Sequence, residues 1–197
     1  MIKSKELLKN ESSPYSPLFE KIDALLGDGR VIVAIEGGSA SGKTTLASML
    51  EKIYDATVFH MDDFFLTPNM RTEKRLNEAG GNCDRERFEA EVLLPLSFGQ
   101  TVSYRAFDCK TQKFKEAIKV TPKKLVIVEG AYSMHPSLEG YYDLSAFLDI
   151  DKDKQWARII ERNGDLSPRF FNEWIPLENK YFEKTRAKER CDLVISV

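Results

Sequence analysis

A glycine-rich segment that ends in Lys43 and Thr44 has the residue types and spacing that bind a triphosphate. Residues 37–44 fit the pattern G-x-x-x-x-G-K-[ST], in which glycines let several backbone N–H groups point into one concavity. Lys43 supplies positive charge for the β- and γ-phosphates, and the Thr44 hydroxyl is placed to hold Mg²⁺. The predicted cofactors are ATP and Mg²⁺, although this loop alone does not separate ATP from GTP. The residues expected to contact the nucleotide are Gly37, Gly38, Ser39, Ala40, Ser41, Gly42, Lys43, Thr44 and Thr45.

A carboxylate lies at the end of a second hydrophobic segment. Residues 125–128 are Leu-Val-Ile-Val, typical of a buried strand, and Glu129 follows them directly. In proteins with a phosphate loop, an acid at this place helps to hold the magnesium ion, directly or through water. Glu129 is therefore the candidate metal ligand beside Thr44. The alternative is that Glu129 only ends the strand at the surface.

Two adjacent carboxylates, Asp62 and Asp63, follow a third short apolar segment. Ligands bind at the carboxyl ends of the strands in open α/β sheets, so these acids are expected at a ligand site. One of them could accept the proton of an attacking hydroxyl group. The alternative is a pair of solvated loop acids, and this segment alone does not decide between the two.

Predicted strands alternate with predicted helices along most of the chain. This alternation indicates an α/β fold of the P-loop NTPase type, with a central parallel sheet of about five strands and helices on both faces. The phosphate loop lies between a predicted strand and a predicted helix, which disfavours a chance glycine-rich turn. The exception is residues 101–120, whose alternating pattern predicts an inserted β-hairpin. The predicted strands are 31–35 (central), 56–61, 125–128, 146–150 and 193–196, and the predicted helices are 18–26, 43–53, 87–96, 151–162 and 170–188.

Composition excludes several classes of protein. The 197 residues suffice for one domain with its own core, and no stretch approaches the roughly 20 apolar residues of a membrane span. With 29 basic and 31 acidic residues, the net charge of −2 offers no general attraction to nucleic acid. Residues 1–10 lack the apolar core of a secretion signal, and the three cysteines form no C-x-x-C pair. We therefore expect a cytoplasmic enzyme with a small-molecule substrate. The sequence does not decide whether the chain forms homo-oligomers.

Taken together and in this order, these segments resemble the uridine kinase family of P-loop kinases, whose relatives include phosphoribulokinase and bacterial pantothenate kinase. The resemblance runs from residue 31 to residue 197. Its anchors are the loop 37–45, the segment 62–65 (Asp-Asp-Phe-Phe), which is similar to the family's D-S-F-Y, the strand end 128–130 and the segment 147–151. The implied organisation is an N-terminal lead (1–17) followed by a P-loop kinase domain (18–197).

The resemblance also implies roles for individual residues. Asp62 matches the family's catalytic base, and Asp84 resembles an acid that binds sugar hydroxyls. Phe107 resembles an aromatic residue near the nucleobase, carried by the hairpin over the acceptor site. Arg162 and Arg169 flank residues 163–168, and the segment 163–169 resembles a shortened lid over the phosphates; for Arg162 the alternative is a solvated helix face.

The predicted function is an ATP-dependent kinase that transfers the γ-phosphoryl group to a hydroxyl of a nucleoside. An alternative is the same chemistry on a non-nucleoside alcohol, such as a vitamin precursor or a sugar phosphate, because Phe65 and Phe107 replace family tyrosines. A further alternative is a nucleotide-dependent switch or ATPase with a protein partner. Acceptor-independent ATP hydrolysis would favour that last class.

Overall fold

The computed structural model describes residues 13–27 and 29–197, so residues 1–12 of the predicted lead lie outside the described residues. The helices are α1 (Ser16–Leu25), α2 (Lys43–Tyr54), α3 (Glu73–Asn77), α4 (Arg85–Phe88), α5 (Leu94–Ser97), α6 (Lys152–Asn163), α7 (Ser167–Arg169), α8 (Ile175–Thr185) and α9 (Ala187–Arg190). The strands are β1 (Val31–Gly37), β2 (Thr57–His60), β3 (Val102–Tyr104), β4 (Phe107–Asp108), β5 (Lys113–Phe114), β6 (Ile118–Val120), β7 (Leu125–Glu129), β8 (Leu144–Asp149) and β9 (Leu193–Ser196). The π-helices Glu89–Leu93 and Phe170–Trp174 join α4 to α5 and α7 to α8.

Five strands form one parallel sheet in the order β2-β7-β1-β8-β9, with β1 at its centre. Every residue of β1 and β7 is buried. This explains why both sequences contain continuous apolar runs with little alternation of apolar and polar residues. The predicted fold class and the central place of β1 are confirmed.

Successive residues of β1 point into two different cores. Ile32 and Ala34 pack into the cluster that contains the hairpin residues and part of α8. Val31, Val33 and Ile35 pack into the cluster formed with α1 and α2. This period of two follows from the pleat of the strand, and it places helices on both faces of the sheet.

The inserted hairpin forms in two pieces. Strand β3 pairs antiparallel with β6, and β4 pairs antiparallel with β5, so that Phe107 lies opposite Phe114. The predicted β-hairpin at 101–120 is thus confirmed. No helix within residues 13–27 or 29–197 has both the length and the apolar character of a membrane span.

Several predicted boundaries differ from the structure. The helix α1 begins at Ser16 inside the predicted lead, because Pro17 fits the first turn of a helix without losing a hydrogen bond. The strand predicted at 56–61 ends at His60, where a 3₁₀-helix (Met61–Phe64) begins. The helix predicted at 170–188 is broken at Arg186, whose φ of 54° is left-handed. The lid segment contains a 3₁₀-helix (Gly164–Leu166) and α7.

Gly130 allows the close approach of two segments that follow neighbouring strands. Its φ is +140°, and an added Cβ would lie 2.6 Å from the Met61 Cβ. Gly130→Ala is therefore expected to lower the free energy of unfolding by about 1–3 kcal/mol, measured by urea denaturation. Gly140→Ala is the matched control, since no atom lies within 4 Å of its added Cβ. Equal losses in both variants would contradict this packing argument.

Candidate active site

The phosphate loop connects the central strand to α2. Strand β1 ends at Gly37 and α2 begins at Lys43, as the sequence predicted. The residues after β2 and the end of β7 lie at the same edge of the sheet, because both strands run parallel to β1. Together they line a cleft of about 1120 Å³ that contains loop residues 39–45, Asp62 and Glu129. The structure therefore brings residues 39–45 of the predicted nucleotide loop and the predicted base into one cavity, whereas Gly37 and Gly38 do not line it.

Backbone conformation explains the glycines of the loop. Gly37 and Gly42 have φ values of 147° and 97°, and an added Cβ on Gly37 would lie 2.7 Å from the Leu148 carbonyl oxygen. Ala40 is also left-handed, with φ of 59°. The Lys43 Nζ donates to the Gly38 carbonyl oxygen at 2.9 Å, which curls the lysine back over the loop. This cradle fits the phosphate groups of a nucleotide.

Thr44 and Glu129, the two predicted metal ligands, contact each other. The Thr44 Oγ1 donates to the Glu129 Oε1 at 3.1 Å, and the Glu129 side chain is enclosed rather than solvated at the strand end. Within the described part of the chain, no cluster of three or more His, Cys, Asp or Glu side chains could hold a metal ion. A hydroxyl and one carboxylate suit Mg²⁺ that arrives with the phosphates of a nucleotide, because Mg²⁺ keeps several water and phosphate ligands.

His60 contacts the candidate metal ligand. Its Nδ1 lies 2.6 Å from the Glu129 Oε1, and this hydrogen bond raises the pKa of His60. The sequence gives no signal of a role for His60, because its partner is 69 residues away along the chain. The histidine therefore fixes the orientation of the Glu129 carboxylate in the described structure.

The two adjacent aspartates point in different directions. Asp62 lines the cleft. Loss of hydration in the cleft wall raises the pKa of Asp62. The positive charge of Lys43 lowers this pKa, and the negative charge of Glu129 raises it further. Asp63 instead accepts a hydrogen bond from the Tyr104 hydroxyl at 3.4 Å. A carboxylate with a raised pKa in the cleft is better suited to take a proton than one held by the hairpin.

Asp84 and Phe107 do not line the cleft. Asp84 caps α4 and accepts hydrogen bonds from the Arg87 backbone N–H at 3.3 Å and its Nε at 3.1 Å. Phe107 is buried, and its ring packs edge-on against Phe114 at 5.4 Å between centroids. The hairpin contributes Cys109 and Gln112 to the cleft. The acceptor roles of Asp84 and Phe107 stay predictions, and in this arrangement both side chains are engaged elsewhere.

Arg162 and Arg169, the arginines of the predicted lid, lie at the cleft and are exposed to solvent. Arg162 donates to the Asn163 side chain at 2.9 Å, and Arg169 pairs with Glu173 at 3.0 Å. The Trp174 ring lies under the Arg169 guanidinium at 5.2 Å. Neither arginine is locked into the protein interior, so both can reach towards a phosphate without breaking core contacts.

The fold and the cleft agree with comparisons to known proteins. The model of the phosphoribulokinase/uridine kinase family matches residues 32–169. The chain belongs to this family. It is accordingly a phosphotransferase with the P-loop kinase fold.

Three individual proteins illustrate the similarity of this family member to known sequences and structures. A uridine kinase from Macrococcus caseolyticus is 28% identical over 183 residues, covering 83% of this chain and 86% of that protein. Uridine kinase-like protein 3 of Arabidopsis thaliana is 31% identical over 143 residues, and the match covers 67% of this chain but only 30% of the plant protein. The solved structure of a possible uridine kinase from Bacillus stearothermophilus superposes with a TM-score of 0.66 at 22% identity, covering 91% of this chain and 99% of that one. This last likeness shows the fold alone.

In this family member, a buried carboxylate that the sequence analysis missed joins the phosphate loop to the turn after β7. Glu36 is completely buried and accepts hydrogen bonds from the backbone N–H groups of Gly37, Tyr132 and Met134 at 3.0, 3.2 and 2.9 Å. The Tyr181 hydroxyl donates to it at 3.0 Å. Burial raises the pKa of Glu36 to about 7 against the opposing effect of these donors. The available signal was a charged residue at the end of an otherwise apolar strand.

Removing this carboxylate is expected to destabilise the protein strongly. Glu36→Ala leaves several buried N–H and O–H groups unpaired, so the free energy of unfolding should fall by at least about 3 kcal/mol. Chemical denaturation measures the loss, and Glu51→Ala, an exposed glutamate on α2, serves as control. A loss below about 1 kcal/mol would show that the loop and the turn keep their positions without Glu36.

Proposed function

We propose that this chain transfers the γ-phosphoryl group of ATP, with Mg²⁺, to a hydroxyl group of a small molecule, and that a nucleoside is the favoured acceptor. The observation that carries the proposal is the presence of Asp62 in the same cleft as Lys43 and Glu129. A nucleotide site, a metal site and a candidate base therefore face one shared space.

The loop and its lysine supply the electrostatic part of the mechanism. The backbone N–H groups of residues 40–44 and the Lys43 ammonium group would bind the β- and γ-phosphates and stabilise the charge on the transferred group. Thr44 and Glu129 would hold Mg²⁺, which supplies further charge neutralisation when bound. The exposed arginines Arg162 and Arg169 would approach the phosphates from the lid and exclude water.

Asp62 would orient the acceptor hydroxyl and take its proton. The hydroxyl oxygen forms the new P–O bond, the bond between the γ-phosphorus and the bridging oxygen of ADP breaks, and the proton passes to the Asp62 carboxylate. In a loose transition state this transfer is late, so positioning is the larger part of the role. The raised pKa of Asp62 makes its carboxylate a stronger base than that of a fully solvated aspartate.

The remainder of the cleft suits a polar molecule with one flat or apolar face. Phe65 and Leu66 contribute apolar surface, while Arg71, Asn82 and Gln112 contribute polar groups. Relatives described as uridine kinases support a nucleoside. A non-nucleoside alcohol remains the second candidate, since Asp84 and Phe107 lie outside the cleft in this arrangement.

A panel of acceptors tests the proposal. Nucleosides, pantothenate-like alcohols and sugar phosphates are each incubated with ATP and Mg²⁺, and ADP release and phosphorylated product are both measured. We expect product with at least one nucleoside and none without an acceptor. Product only with a non-nucleoside alcohol would reject the nucleoside while retaining the kinase. ATP hydrolysis that is independent of every acceptor would reject both.

A further inference from the structure

Side chains from two helices hold the middle of the phosphate loop. Glu178 of α8 accepts hydrogen bonds from the Ser39 backbone N–H at 2.9 Å and from the Ser39 hydroxyl at 2.6 Å. From α6, the Gln155 Nε2 donates to the Ser39 carbonyl oxygen at 2.8 Å, and the Arg158 Nη1 donates to the Ala40 carbonyl oxygen at 3.1 Å. We call these three side chains the loop clamp. Every polar group of Ser39 is thus paired with a member of the clamp.

The backbone conformation of the phosphate loop explains why it needs the contacts of the loop clamp. Ala40 adopts a left-handed conformation, which costs a residue with a side chain about 1 kcal/mol or more. An added Cβ on Gly38 would lie 2.9 Å from the Gln155 Nε2, so α6 approaches the loop backbone closely. A phosphate cradle binds well only if its N–H groups already point inwards before the ligand arrives. The clamp therefore stabilises a strained loop in one shape.

Glu178 is the unusual member of the clamp. It is buried, it lines the cleft, and the charges of Lys43 and Asp62 act on it. Burial raises the pKa of Glu178, opposed by the charge of Lys43 and by the hydrogen bonds from Ser39. A carboxylate this close to a phosphate site repels another anion, so its negative charge does not favour nucleotide binding. What Glu178 contributes is the pair of hydrogen bonds to Ser39.

We propose that Glu178 is a positioning residue of the phosphate loop, which holds Ser39, and through it the loop, in the shape that receives the triphosphate. The inference rests on the proposed ATP-dependent function. Arg162 follows the clamp residues on α6, and Arg169 precedes α8. Arg162 thus shares α6 with Gln155 and Arg158, whereas Arg169 ends α7, which the π-helix Phe170–Trp174 joins to α8.

Binding of ATP with Mg²⁺, measured by titration calorimetry without any acceptor, tests the proposal. Glu178→Ala should weaken binding by about 10- to 100-fold, because a buried hydrogen-bonded pair at the loop is lost. Glu178→Gln should restore most of the affinity, since the amide oxygen accepts from the Ser39 N–H and the amide NH₂ donates to its hydroxyl. Glu183→Ala, an exposed glutamate on the same helix, is the matched control and should bind as the unchanged protein does.

A double-mutant cycle shows whether Glu178 acts through the Ser39 hydroxyl. In a Ser39→Ala background, the loss caused by Glu178→Ala should be smaller than in the unchanged protein, because one of the two hydrogen bonds is already absent. Thermal unfolding of each variant is recorded beside the titrations. If Glu178→Ala does not fold, Glu178→Asp, which is one methylene too short to reach Ser39, replaces it with the same expected loss.

Three results would overturn the proposal. Unchanged affinity in Glu178→Ala would show that the loop keeps its shape without the carboxylate. Equal losses in Glu178→Gln and Glu178→Ala would show that Glu178 acts through its charge, and full additivity with Ser39→Ala would show that its bond to the Ser39 hydroxyl does not hold the loop. Failure of the proposed function would appear separately, as a lack of ATP binding in the unchanged protein.

Discussion

Lys43→Ala is expected to reduce phosphoryl transfer by at least about 10³-fold while leaving the fold intact. The lysine is the cation of the phosphate loop that is proposed to contact the β- and γ-phosphates, and it is needed most when charge develops in the transition state. Its Nζ bonds only to the loop, at the Gly38 carbonyl oxygen, among the hydrogen bonds that the described residues show. The measurement is ADP formation with an active acceptor, together with a thermal unfolding curve.

Lys52→Ala is the control for this experiment, because Lys52 is an exposed lysine in the last turn of the same helix. Its turnover and its unfolding temperature should match those of the unchanged protein. Near-normal turnover in Lys43→Ala would contradict the assignment of the nucleotide site. A large fall in unfolding temperature would mean that the lysine is structural.

Asp62→Asn is expected to lower turnover by about 10²- to 10⁴-fold with little change in ATP affinity. The substitution keeps the size of the side chain but removes the group that takes the proton. Because Asp62 lies in the cleft beyond the loop, its loss affects the acceptor hydroxyl and not the phosphate contacts. Steady-state kinetics at saturating acceptor and ATP titrations measure the two effects separately.

Asp63→Asn is the neighbouring control, and its effect on turnover should be much smaller. Asp63 accepts a hydrogen bond from Tyr104, and an asparagine oxygen can still accept it. The opposite ranking of the two variants would transfer the base role to Asp63. Similar small effects in both variants would mean that neither residue takes the proton, without contradicting the assignment of the nucleotide site.

Local patterns were sufficient to predict the elements that carry the site. The apolar runs of β1 and β7 follow from burial on both faces of the sheet, and the spacing after residue 43 follows from burial that recurs with the period of a helix. Parallel neighbours need a long crossover connection, which is usually a helix, so the alternation of strands and helices predicted a parallel sheet. The ends of the elements did not follow from these patterns, since Met61 is apolar and buried but already belongs to the 3₁₀-helix after β2.

Residue types alone did not separate candidates that are adjacent in sequence. Asp62 and Asp63 have the same chemistry, and the arrival of Tyr104 from the hairpin, 41 residues away, engages only the second. Asp84 carried a role implied by resemblance, yet in the structure it bonds Arg87, three residues further on. That local pairing was visible in the sequence as an acid and a base at i and i+3.

The sequence by itself determined the phosphate loop, its lysine and threonine, and the acids at the ends of β2 and β7, because each is a contiguous signal. Only the tertiary structure decided which buried carboxylates support that loop. Glu36 joins it to a turn 96 to 98 residues away, and Glu178 reaches Ser39 across 139 residues. Such contacts depend on how α8 and the turn after β7 pack against the sheet, and no local propensity or spacing encodes that packing.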